Sequence, residues 1–171
     1  MIARQYRDIY ARLKTMTRRK KKANEELIGG VVYSTSKRGQ RRRKHYVGQV
    51  VSIVPKYGQA AVLIAPDGRV VTDDLAELTR AEMISSDRTA RQCLLDRDYR
   101  PLQVRITAIR EERLQVIPPD DARREGVESV EAYRELWASI NGPRSWDKNP
   151  TVYVYTFVCI TESAAVKEIA S

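Results

Sequence analysis

Apolar residues recur at helical spacing at the start of the chain. Ile2, Tyr6, Ile9, Tyr10 and Leu13 fall on one stripe, with Arg4, Arg7, Asp8 and Arg12 off it. This spacing predicts an amphipathic helix over residues 2–13. After Gly29-Gly30 the period shortens to that of strands. Residues 31–35 (Val-Val-Tyr-Ser-Thr) and 46–54 are rich in β-branched residues and read as strands. A further strand, 59–64, turns at Pro66-Asp67-Gly68 into 69–72, where proline presets φ and glycine accepts a positive one. A β-meander is expected there.

Residues 73–98 are polar with scattered Leu, Met and Ala, and 74–83 reads as a short helix. Leu102, Val104, Ile106 and Ala108 alternate with Gln103, Arg105 and Thr107, the signature of a half-buried strand. Pro118-Pro119-Asp120-Asp121 opens a short helix, 119–125, stopped by Gly126. Val130, Tyr133, Trp137 and Ile140 form the buried stripe of a second helix, 129–140, closed by Asn141-Gly142-Pro143. The last pattern, 151–160, is apolar on both faces and predicts a central strand.

Charge changes this picture. The chain has 171 residues and a formal charge of +9, with 31 Lys+Arg against 22 Asp+Glu. Residues 1–50 hold 15 basic and 3 acidic side chains, a balance of +12, and residues 51–171 hold 16 and 19, a balance of −3. The excess is concentrated in Arg18-Arg19-Lys20-Lys21-Lys22 and in Arg41-Arg42-Arg43-Lys44, followed by His45 and Tyr46. Basic clusters gain affinity for nucleic acid by releasing condensed counterions, and the adjacent tyrosine can stack on an unpaired base. RNA is the expected partner, with single-stranded DNA as the alternative. A solvated basic loop or an arm for an acidic partner would use the same charges.

Other classes are disfavoured. The longest apolar run, 60–65, is far short of the roughly 20 residues that cross a bilayer, so no membrane partner is expected. The first residues carry charge where a signal peptide is apolar, which points to a cytoplasmic protein. Cys93 and Cys159 stand far apart and read as reduced thiols, with no zinc spacing and no metal site expected. The lone histidine, His45, sits in a basic run and is expected to be exposed. No Walker A or Gly-x-Gly-x-x-Gly occurs, so no cofactor is expected.

Three stretches, in order, resemble the ASCH domain family of the PUA-like superfamily. The first is Ile9-Tyr10-Ala11-Arg12-Leu13-Lys14-Thr15-Met16-Thr17-Arg18-Arg19. The second is 104–110 followed by 114–126, with its Asp121-Ala122-Arg123-Arg124-Glu125-Gly126 helix. The third is 133–142 with Ser145-Trp146-Asp147-Lys148-Asn149-Pro150 and the strand after it. The match over 101–160 is similar to longer bacterial and phage-type members. The resemblance implies an α+β fold: a small PUA-like β-barrel with flanking α-helices. Residues 1–171 would form a single domain with an inserted β-meander at about 46–100. It also implies a basic cleft for RNA or a modified nucleoside; the residues expected to hold the RNA there are Lys14, Arg18, Arg19, Arg41, Arg42, Arg43, Lys44 and Tyr46.

One branch of the family, the N4-acetylcytidine amidohydrolases, resembles the chain in a Lys-Thr-x-Thr segment and a distant glutamate. The resemblance places their catalytic roles on Lys14, Thr17 and Glu125. A lysine base would activate the threonine hydroxyl, and the glutamate would hold the lysine or pass a proton to the leaving amine. Lys14 and Thr17 would share one side if their turn were helical. RNA binding is the first reading and a small amidohydrolase the alternative.

Overall fold

The computed structural model describes residue 9 and residues 13–53, 62–64, 70–72 and 100–160; at 62–64, 70–72, 100 and 101 only the course of the backbone is considered. Strands dominate it. In chain order they are β1 (Met16–Lys20), β2 (Glu25–Ile28), β3 (Val31–Thr35), β4 (Arg41–Tyr46), β5 (Val50–Ile53), β6 (Val62–Ile64), β7 (Val70–Thr72), β8 (Arg100–Arg113) and β9 (Thr151–Cys159). Between β8 and β9 lie a 3-10 turn, Leu114–Val116, and two helices, α1 (Pro119–Arg124) and α2 (Val130–Asn141). Among the described residues strands therefore predominate and helices are few, an α+β composition.

Two compact units divide the chain, one made of Leu13–Val50 with Arg105–Val158, the other taking in Val51–Val104 and both ends. In the second, β6 pairs antiparallel with β7 from Val62↔Thr72 to Ile64↔Val70, as the expected hairpin requires. Both β6 and β5 pair with β8 there. The turn at 66–68, the helix over 74–83, Cys93 and most of the helix over 2–13 lie outside the described residues. Ile9 is helical and buried, whereas Leu13, expected on the same buried stripe, is exposed.

In the Leu13–Val50/Arg105–Val158 unit, β9 runs between β1 and β8. Its position explains the two-sided apolar pattern: Val152 and Val154 are buried on one face, Tyr153, Tyr155 and Phe157 on the other. The Val face meets the helices. Met16, Leu114, Ile117, Ala122, Tyr133, Trp137, Val152 and Val154 form one core cluster. Ser129 caps α2 by accepting from the Ala132 N–H at 3.1 Å. Ile140 is the exception to the expected stripe. It is 60% exposed, because the last turn of α2 runs beyond the core.

A three-stranded sheet, β2-β3-β4, completes this unit. Gly29 and Gly30, at φ +55° and +76°, make the two-residue turn between β2 and β3. Both positions need the left-handed region, as a type I′ hairpin does. The basic run is itself a strand here, so the expected strand over 46–54 resolves into β4 and β5 with a turn at Val47–Gln49. Opposite β4 the register shifts: Tyr33 faces Arg43 and Val32 faces His45, leaving Lys44 as the extra residue of a bulge.

Candidate functional site

Two groups of charged side chains stand out in this unit, one buried and one exposed. The buried one begins on β1. Met16 and Arg18 point to the helix side of the sheet, where Arg18 is 5% exposed. An arginine survives there because three carboxylates receive it. Its Nη2 donates to Asp121 at 2.6 Å and to Glu112 at 2.8 Å, and Nη1 donates to Glu125 at 3.2 Å. Lys14, 2% exposed, donates to the Glu125 carboxylate at 2.9 Å and to the Glu125 main-chain oxygen at 2.7 Å. Arg110 closes the group, pairing with Asp121 and with Glu112 at 2.9 Å.

The short helix supplies two of the three acids, and β8 supplies Glu112. Asp121 lies in the first turn of α1 and Glu125 at its C-cap. The Thr15 N–H donates to the Arg124 carbonyl at 2.9 Å, which ties the segment before β1 to the end of α1. Burial pushes the Asp121 carboxyl up, but the hydrogen bonds and charges of Arg18 and Arg110 outweigh it and hold it below the usual Asp value. At Glu125 burial wins over Lys14 and Arg18, and the carboxyl stands above the usual Glu value. Burial also opposes the charge on Arg18, yet hydrogen bonds to Asp121 and Glu112, with the charge of Glu125, raise it further. Burial, reinforced by the charge of Glu125, likewise raises the nearby Tyr133 phenol. Such a network rewards completeness, because a buried charge without its partner is costly.

Lys14 and Glu125, 111 residues apart, are thus brought together. Thr17 is not brought with them. Residues 16–20 pair with β9 as a strand rather than continuing a helix, and a two-residue period sets Thr17 on the face opposite Met16 and Arg18, across from Tyr155. The side shared by Lys14 and Thr17 in a helical turn does not form. Lys14 and Arg18, expected to contact phosphate, are buried and engaged by carboxylates, so neither offers its charge to the surface.

On the Thr17 side of the sheet sits His45. The expectation that it is exposed is corrected: it is half-buried, edge-on to the Tyr155 ring at 5.3 Å between centroids. The two-residue alternation of β4 turns it inward beside buried Val32, whatever the charge of its neighbours. Burial holds its imidazole below the usual value. A hydrogen bond with Gln49 opposes this, and the charges of Arg19 and Lys44 add to it. Tyr155 is pushed up to about 12, chiefly by burial.

The exposed group is β4 itself. Arg41, Arg42, Arg43, Lys44 and Tyr46 all face solvent, as does Arg19 on β1. Two of the cations are already paired: Arg41 with Glu26 at 2.9 Å, and Lys44 with Glu25. Among the described residues no carboxylate lies within ion-pair distance of Arg42, Arg43 or Arg19. Arg41 also sits over the Tyr33 ring, its Cζ 3.9 Å from the centroid, and the Arg43 Cζ is 5.3 Å from that of Tyr46. Residues 25–46 carry six Lys+Arg and two Glu, so this sheet and its loops hold +4 of the +12 of residues 1–50.

Four participants, Arg110, Glu112, Asp121 and Tyr33, carry no signal of a site in the sequence. Asp121 was visible only as a favourable first-turn acid, and Tyr33 only as a strand residue. Among the described residues no group of three or more His, Cys, Asp or Glu could hold a metal ion, and no helix is long and apolar enough to cross a membrane. The geometry defines an α+β unit with an internally neutralised buried ion network and a separate exposed basic sheet. Comparison of the chain with protein-family models, with curated proteins and with solved structures gave no match.

Proposed function

We propose that this protein binds RNA through the exposed cations of β4, with Arg19 of β1, within an ASCH/PUA-like fold. The observation that carries the reading is the basic run laid out as a strand, with Arg42 and Arg43 exposed and without a carboxylate partner among the described residues. Buried Lys14 and Arg18 take no part in this contact; Arg19, Arg41, Arg42, Arg43, Lys44 and Tyr46 do. Three phosphates neutralised on a single strand give a slope of log affinity against log salt of about −2. Fluorescence anisotropy with a labelled RNA, across a salt series, measures it. The double substitution Arg42→Glu/Arg43→Glu is expected to abolish binding. Affinity indifferent to salt, or undiminished in that variant, would reject the proposal.

A second reading, hydrolysis of N4-acetylcytidine or a related N-acylated nucleoside, draws support from the Lys14–Glu125 contact. It requires Thr17 to reach a lysine that lies on the other side of β1. Release of acetate from N4-acetylcytidine by the purified chain, lost in Thr17→Ala, is the outcome this reading demands.

A further inference from the structure

The cations of β4 are not a bare charged strip. Pairing across the sheet puts Tyr33, Arg43 and Arg41 on one face, with Tyr46 at its end beside Val31, while His45 and Arg42 take the opposite face. On the first face each arginine is matched with a ring. Arg41 is held over Tyr33 from two directions, by the ring at 3.9 Å and by Glu26 at 2.9 Å. Arg43 lies 5.3 Å from the centre of the Tyr46 ring, which is 38% exposed.

Phosphate binding alone needs no rings, since lysine serves as a point charge. A guanidinium paired with a phenol presents flat π-surface on which a base can stack. In a duplex that surface has nothing to meet, because each base face is covered by its neighbour 3.4 Å away. The spacing of the two pairs points the same way. Arg41 and Arg43 are two residues apart on one strand and share a face, so they stand about 6.6 Å apart. That is about twice the stacked rise of a nucleic-acid strand. Neighbouring bases can occupy both positions only when drawn off one another.

We infer that this sheet face takes single-stranded nucleic acid, laying consecutive unpaired bases separately on the Arg41–Tyr33 and Arg43–Tyr46 pairs. The inference rests on the proposed RNA binding and adds what is read: base faces, without regard to base identity. The edges that carry sequence information point away from such a stack.

The test is anisotropy of the full chain with a labelled, non-self-complementary RNA, free and annealed to its complement, at one salt concentration. The single strand is expected to bind about 5-fold or more tightly than the duplex. Tyr46→Leu is expected to weaken single-strand binding by about 5-fold or more, and Tyr46→Trp to retain it. Equal affinity for strand and duplex, or a folded Tyr46→Leu that binds the strand as well as the unaltered protein, overturns the inference and leaves the basic-surface reading standing. No binding to either RNA overturns both. Should Tyr46→Leu fail to fold, the strand-to-duplex comparison on the unaltered chain decides alone.

Discussion

Replacing Glu125 by leucine removes the carboxylate that joins two buried cations. Lys14 would keep only the main-chain oxygen of residue 125 at 2.7 Å, and Arg18 would lose its 3.2 Å contact while keeping Asp121 and Glu112. The uncompensated charge is that of Lys14. Its side chain is 2% exposed and that of Glu125 3%, so water cannot take over the missing partner. Losing one member of a buried ion pair costs about 3–5 kcal/mol, a large part of the roughly 5–15 kcal/mol that separates folded from unfolded states. With a urea dependence of about 2 kcal/mol per molar, the unfolding midpoint falls by about 2 M. Both tryptophans, Trp137 and Trp146, lie in this unit beside the same core, so their fluorescence follows its unfolding. Lys14→Met combined with Glu125→Leu removes both charges and keeps similar volume. It is expected to come within about 1 kcal/mol of the unaltered protein. A Glu125→Leu midpoint within about 0.3 M of the original, or a double variant no more stable than the single, would show that Lys14 is not desolvated as described.

Two further outcomes follow from the geometry. His45 supplies the only imidazole signal, and its NMR titration should have a midpoint below the usual 6.5 because burial disfavours the charged ring. The unfolded chain then takes up that proton first, so this residue's contribution to stability is complete above pH 6.5 and is lost as pH falls below it; a midpoint at or above 6.5 would contradict the inward orientation. Gly30→Ala places a Cβ 3.2 Å from Val47 Cγ2 at a φ of +76°, and thermal unfolding should report a loss of about 1 kcal/mol or more, where an unchanged midpoint would argue against the tight turn.

Much of the secondary structure was legible in local pattern. The 119–125 helix differs from α1 by one residue at its end, the 129–140 helix from α2 by one residue at each end, and the 151–160 strand agrees with β9 to one residue. Each is announced by short-range chemistry: Pro119 with two acids at one helix start, the Ser129 cap at the other, and unbroken apolar character in β9. Local pattern served less well where it was ambiguous. Thr15-Met16-Thr17-Arg18-Arg19, after the expected helix over 2–13, carries no clear period of its own; in-register pairing with β9 makes 16–20 a strand, so the helical turn that would put Thr17 beside Lys14 does not form. Four consecutive cations carry no strand period and fit a solvated loop equally well, but pairing with β3 makes them a strand, because arginine and lysine pay little to stand on an exposed sheet face.

Residue order alone is enough to show that the excess of positive charge lies in the first third of the chain and that a short helix with acids at its start precedes Gly126. It also brought forward Lys14 and Glu125 as a pair worth testing, by resemblance. Which cations are available is set by the folded arrangement. Lys14 and Arg18 stand in the same basic stretch as Arg19, yet two-residue alternation along β1 and closure of α1 over one face bury them against Glu112, Asp121 and Glu125. Charge is a property of residues, but availability depends on which carboxylates the fold brings within hydrogen-bond reach. Those carboxylates come from about 100 residues further along the chain, beyond anything local spacing records.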